Sequence, residues 1–196
     1  MKNQNVKKWA LMFFVGLGLI LNSGQVKAQN YSANASNGSV SVDGTSNVHD
    51  WTLKAENFTV RVNIVKENNT PTLKDLSLSL VVESLKSGKS AMDKNTYKAL
   101  NSSKHKNVVF KQTKLISVKQ ASAGSYNVVV QGNLTINGVT KAINLAFQLK
   151  EIGGGYSLVG SHKINTPQYN VEPVSALLGT VKTGADVEIK YNLNLK

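Results

Sequence analysis

Three histidines, a scatter of aspartates and no cysteine are the residues from which chemistry could be built. His49, His105 and His162 lie too far apart to form the close ligand pair that a helix or ribbon metal site uses. No metal is therefore expected. His49 and Asp50 are neighbours, but adjacent residues of a strand point to opposite faces, so a general acid–base pair is not favoured there. Asp43, Asp50, Asp75 and Asp93 fall in separate blocks and carry no paired-carboxylate signature. A cysteine nucleophile is excluded, and there is no GxSxG elbow and no phosphate-binding glycine loop. Catalytic residues are expected to be absent. A hydrolase or isomerase working through His49 or His162 remains the rival in that class.

The elements that would hold a site are read from period-two alternation. "GNLTINGVTKAINLAF", Gly132 to Phe147, places Leu134 and Ile136 on one side of Asn137-Gly138 and Val139, Ile143, Leu145 and Phe147 on the other. That is the signal for two antiparallel strands and a tight turn. Alternation recurs in Ser39–Val42 and through Phe58, Val60, Val62 and Ile64. It returns at Leu76, Leu78, Leu80 and Val82, and around Phe110 in 108–118. Val128 and Val130 in 126–136, Leu158 in 156–164, and Val187 and Ile189 in 186–195 complete the set. Between them "SAMDKNTYKALNS" has helical spacing, and Val174–Leu178 suggests a helical turn. The expected fold is all-β: an eight-stranded antiparallel barrel with one short helix between strands and a helical turn near the C-terminus.

The chain has 196 residues. Lys2, Lys7 and Lys8 precede an apolar run from Trp9 to Leu21 and a polar stretch ending in "VKA", the pattern of a secretory signal peptide over 1–28. The apolar run is shorter than the roughly 20 residues that span a bilayer. Residues 29–38 read as a flexible lead-in and 39–196 as the barrel domain, expected to be periplasmic or secreted. The formal charge is +12, of which the four lysines of 1–28 carry a third. Nearly all of the positive charge is lysine, with Arg61 the only arginine. Bidentate phosphate and base contacts favour arginine, so nucleic acid is not expected. A lysine surface suits transient contact with anionic headgroups.

The hairpin resembles the signature segment of the YceI-like family. "VHDW" with Phe58, "MDKNTYKALNSSKHKNVVFK" with Phe110, and "HKINTPQYNV" with Tyr169 resemble three further blocks, together covering most of 39–195. Met92 before Asp93, and His105-Lys106, depart from the family pattern. The resemblance implies an exported lipocalin-like barrel holding a polyisoprenoid or other long-chain amphiphile, for storage or transport, without a cofactor. The expected ligand wall is Phe58, Val60, Val62, Leu76, Leu78 and Leu80, then Phe110, Val128, Val130 and Leu134. It continues through Ile143, Leu145, Phe147, Leu158, Tyr169, Val187 and Ile189. His49, Lys141 and His162 are candidate polar contacts at the mouth. From the pattern alone the same side chains could pack a solid core. The alternative is then an interaction or stress-response protein without ligand. The oligomeric state is left open, a dimer included.

Overall fold

The computed structural model describes residues 28–176 and 179–196. The signal-peptide expectation lies outside these residues except for Ala28. Twelve strands are described: β1 (Gln29–Asn34), β2 (Gly38–Ser46), β3 (Trp51–Ala55), β4 (Phe58–Glu67), β5 (Thr70–Val81) and β6 (Leu85–Lys86). After helix α1 (Ser90–Ala99) follow β7 (Asn107–Ser122), β8 (Ser125–Ile136), β9 (Val139–Ile152), β10 (Gly155–Asn165), β11 (Ser175–Ala176) and β12 (Val181–Leu195). Eleven of them form one continuous antiparallel sheet in the order β1-β4-β5-β7-β8-β9-β10-β12-β2-β3-β6, and β11 pairs only with β12.

This is an all-β, barrel-like sheet, but not the expected eight-stranded barrel. The difference begins at the N-terminus. The expected lead-in is a strand from Gln29 to Asn34, paired along its length with β4. Its other edge meets the end of β12, where Ser32 and Lys196 exchange backbone hydrogen bonds of 2.8 and 3.0 Å. Small polar side chains gave no alternation to read, yet backbone pairing needs none. Trp51–Ala55 and Leu85–Lys86 are further strands too short to show a period. The expected helical turn at Val174–Leu178 is also corrected. Ser175–Ala176 within it are extended, Leu177 and Leu178 lie outside the described residues, and a 3-10 turn sits at Thr166–Tyr169, with Pro167 in its first turn. Proline lacks an N–H and has a helical φ, which suits that place.

Two local devices put the apolar residues inward. Asn68 and Asn69 adopt left-handed φ of 48° and 64° and join β4 to β5 as a tight hairpin with Glu67 opposite Thr70. Asn tolerates this region better than most residues. Asp75, at φ 56°, then marks an extra residue in β5, and the pairing with β4 shifts there. The bulge switches the phase, so that Leu73 before it and Leu76 and Leu80 after it are all buried. A strict alternation would have turned one of these sets to solvent.

The barrel-like interior has two halves. At the end where β1 meets β12, Ile64, Leu73, Tyr126, Val128, Leu149 and Leu195 pack into a solid floor. The tip of the β4–β5 hairpin lies against the floor strands: the Tyr126 hydroxyl donates to Asn69 O at 3.0 Å, and Lys66 pairs with Glu151 at 2.8 Å. At the other end α1 and the 3-10 turn lie over the strands, and the interior is hollow.

Candidate functional site

The hollow is an apolar cavity of about 450 Å³. Its wall comes from Val40 and Val42 on β2, Leu78 and Leu80 on β5, Leu134 and Ile136 on β8, and Val187 and Ile189 on β12. Trp51, Leu53 and Leu85 close the side that the short strands cover, and Met92, Ala99 and Leu100 close the top from α1. Polar groups gather at the rim, where Ser46, His49, Lys89, Asn95 and Glu172 stand. A smaller apolar space of about 70 Å³ continues toward the floor. Val40, Leu78, Leu134 and Ile189 line both.

Each covering element is pinned. The Asp93 carboxylate accepts from Ser87 N at 2.8 Å and Ser87 Oγ at 2.6 Å, tying the first turn of α1 to the loop before it. Those hydrogen bonds hold its carboxyl below the usual value. Tyr97 donates to Leu85 O at 3.1 Å and accepts from Lys86 Nζ at 2.6 Å, holding the middle of the helix to β6. The β8–β9 turn is fixed in the same way. Asn137 and Gly138 have φ of 47° and 76°, a primed two-residue turn, and Asn137 Nδ2 donates to Asn170 O at 2.8 Å. A Cβ on Gly138 would stand 2.6 Å from the His105 ring. His105, a departure from the family pattern, thus lies against the signature turn.

Glycines also make room for aromatics that shape the wall. A Cβ on Gly44 would fall 2.2 Å from the Trp51 ring, so Trp51 lies directly on β2 and donates Nε1–H to Thr45 O at 2.9 Å. Phe110 lies in the same manner on Gly132, the first residue of the signature segment, where a Cβ would be 2.3 Å away.

The expected ligand wall divides by depth. Leu78, Leu80, Leu134, Tyr169, Val187 and Ile189 line the main cavity. Val60, Leu76, Phe110, Ile143, Leu145, Phe147 and Leu158 border the smaller space below it. Phe58, Val62, Val128 and Val130 line neither and are buried to 2% exposure or less. These four are corrected to packing residues. Alternation gives the face a side chain occupies, not how far along the interior it lies. Outside the expected wall, the cavity is also lined by Val40 and Val42 of β2, Trp51 and Leu53 of the short β3, Met92 of α1 and Val108 at the start of β7. Trp51, two residues after His49 in the quoted "VHDW", is the signal within reach.

His49 lies in the loop before β3 rather than in a strand. Its ring nitrogen Nδ1 is 2.8 Å from Asp50 O, and it lines the cavity rim. His162 does face inward, bordering the smaller space, and burial alone pushes its pKa below the usual 6.5. Lys141 is half-buried in the inward phase of β9, opposite Leu134, and lies outside the cavity lining. Among the described residues no three His, Asp or Glu side chains converge as a metal cluster.

The model of the YceI-like domain matches residues 25–195. The chain belongs to the YceI-like family. Several solved structures share the fold. BcnA of Burkholderia cenocepacia superposes with a TM-score of 0.63 at 16% identity, over 81% of this chain and 96% of its own. A polyisoprenoid binding domain from Saccharophagus degradans, implicated in plant cell wall breakdown, gives 0.65 at 11% identity over 87% and 99%. The Campylobacter jejuni YceI protein gives 0.50 at 16% identity over 97% and 99%. A comparison with curated proteins gives no match.

Proposed function

We propose that this YceI-like chain is an exported, non-enzymatic binding protein that holds the tail of a polyisoprenoid or similar amphiphile, for storage or transport between membranes. The observation that carries this reading is the apolar cavity of about 450 Å³ above a solid floor. It falls within the roughly 300–1,000 Å³ of small-molecule sites. The polyisoprenoid binding domain with the same fold supports the ligand class, and the rim keeps a polar head near water.

The capacity follows from volume. At about 30 Å³ per water-sized group, the cavity takes on the order of fifteen heavy atoms, three isoprene units. Burying that many carbons is worth about 12 kcal/mol gross at about 0.8 kcal/mol per methylene. Lost overall motion and tail ordering cost at least about 4 kcal/mol. At most roughly 8 kcal/mol remains, which sets micromolar affinity as the upper limit. No strong polar contact is required.

Trp51 supplies the assay, being the only tryptophan after residue 28 and part of the cavity wall. Titrating the protein lacking residues 1–28 with farnesyl phosphate is expected to change Trp51 emission saturably at micromolar concentration. No saturable change with any isoprenyl phosphate would overturn the reading.

A further inference from the structure

The wall of the barrel is split. Strands β9 and β10 pair from Ile152 opposite Gly155 up to Phe147 opposite Gly160, and no further. Beyond that point, among the described residues, Val139–Ala146 is paired only with β8, and Ser161–Asn165 only with β12. Burial follows the split. Phe147 and Leu149, inside the paired region, are buried, whereas Ile143 and Leu145, in the same inward phase, are only half-buried. On β10, Leu158 is buried and His162 half-buried, and burial returns only at Ile164, which lines the main cavity. A hydrogen-bonded neighbour would cover these side chains, and among the described residues there is none.

The apex of the split is built by one side chain. Tyr191 of β12 crosses Gly160, where a Cβ would stand 2.7 Å from its ring. Its hydroxyl donates to Ala146 O at 3.4 Å, on the far side of β10. Burial pushes this phenol up to about 12, so it stays protonated. Glycine at 160 is thus what lets β12 reach β9 where the pairing ends.

The split joins inside to outside. Ile143 and His162 border the small apolar space within and also an open polar groove on the outer surface, formed with Asp43, Lys163, Glu188 and Lys190. The small space in turn shares Leu134 and Ile189 with the main cavity. The main cavity, the small space and the outer groove therefore adjoin one another along this side of the wall through shared lining residues.

We infer that the β9–β10 split is a lateral slot through which the chain of a bound amphiphile leaves the cavity, so that tails longer than the cavity are accepted. This rests on the lipid-binding reading above. The cavity alone takes on the order of three isoprene units, and a sealed wall would cut off binding near that length. The slot removes the cut-off. The tail runs past Leu134 and Ile189 and emerges between Ile143 and His162.

The test closes the slot with a disulfide in a chain that has no cysteine of its own. Continuing the register sets Ser161 opposite Ala146 and Lys163 opposite Asn144, all four exposed and outward-facing. The double variants Ala146→Cys/Ser161→Cys and Asn144→Cys/Lys163→Cys are oxidised, and the crosslink is verified by intact mass. Farnesyl phosphate affinity is expected to stay within about twofold, while decaprenyl phosphate weakens about tenfold or more and recovers on reduction. In parallel, decaprenyl phosphate carrying a diazirine at its far end is photolysed in the unaltered protein. Labelling is expected on 142–146 or 161–163. Labelling confined to the mouth, at His49, Ala91 or Pro173, overturns the slot, as does decaprenyl binding unchanged by a verified crosslink. If the unaltered protein binds neither lipid, the lipid-binding reading itself fails, and the two failures are distinct.

Discussion

Val42→Trp probes the hollow directly. Val42 is half-buried on β2, faces the cavity opposite Ile189, and takes no part in the β9–β10 split. The substitution adds about seven heavy atoms, which at about 30 Å³ each removes close to half of the 450 Å³. Capacity falls from about fifteen heavy atoms to about eight. Each displaced carbon forfeits up to about 0.8 kcal/mol, an upper bound near 6 kcal/mol. A tail that rearranges toward the rim recovers part of this. A loss of at least about 3 kcal/mol, roughly a hundredfold in affinity, is the expected outcome. The indole enters existing empty space, so folding should survive, with a melting temperature at or above that of the parent protein. Displacement of a dansylated isoprenyl phosphate gives the affinity, and a thermal melt gives the control. An unchanged affinity in a folded Val42→Trp protein would refute the placement of the tail.

Leu149 is fully buried in the floor and lines neither space. Leu149→Ala should cost about 3–4 kcal/mol in denaturant unfolding, while the folded fraction binds with unaltered affinity. Gly44→Ala drives a methyl group into Trp51; red-shifted tryptophan emission and weaker isoprenyl binding are expected, read in one titration. His162 is held below its ordinary pKa of 6.5 by burial. The unfolded chain therefore takes up the proton first as pH falls, and the stability tied to the neutral ring is complete above 6.5 and lost toward the lower folded value. Melting curves across that window should fall for the parent protein and flatten for His162→Gln; parallel curves would contradict the burial.

The parts of the fold legible in the sequence are those where side chains themselves carry a period. The Asn137-Gly138 hairpin, the strands around it, the last strand and the helix after Ser90 all follow from spacing. Strand β1 does not, because its pairing is made by backbone, with Ala33 buried and Tyr31 set edge-on to Tyr156 at 5.3 Å. The phase switch at Asp75 also lay hidden, since a bulge shows only as one residue out of step. For the site, alternation identified inward faces correctly in β5, β8 and β12. It could not tell Val130, fully buried in the packed part, from Leu134 four residues on, which borders the hollow. That distinction depends on the β4–β5 hairpin crossing the floor and on α1 standing off the strands at the other end. Both are relations between distant segments, and no local pattern records them.

The same limit explains the split in the wall. Ile143 and Leu145 read as core by every sequence rule, and their half-exposure comes only from the loss of a neighbour beyond Gly160. Gly160 itself reads as a weak point in a strand. The structure gives it a use, as the crossing point for Tyr191.

Native mass spectrometry of the protein purified from its own cells, without detergent, weighs directly what the hollow contains. A bound species of several hundred daltons, stripped by organic solvent and restored by isoprenyl phosphate, is the outcome expected of a lipid carrier. A bare polypeptide mass that takes up no isoprenyl phosphate of any length would contradict it.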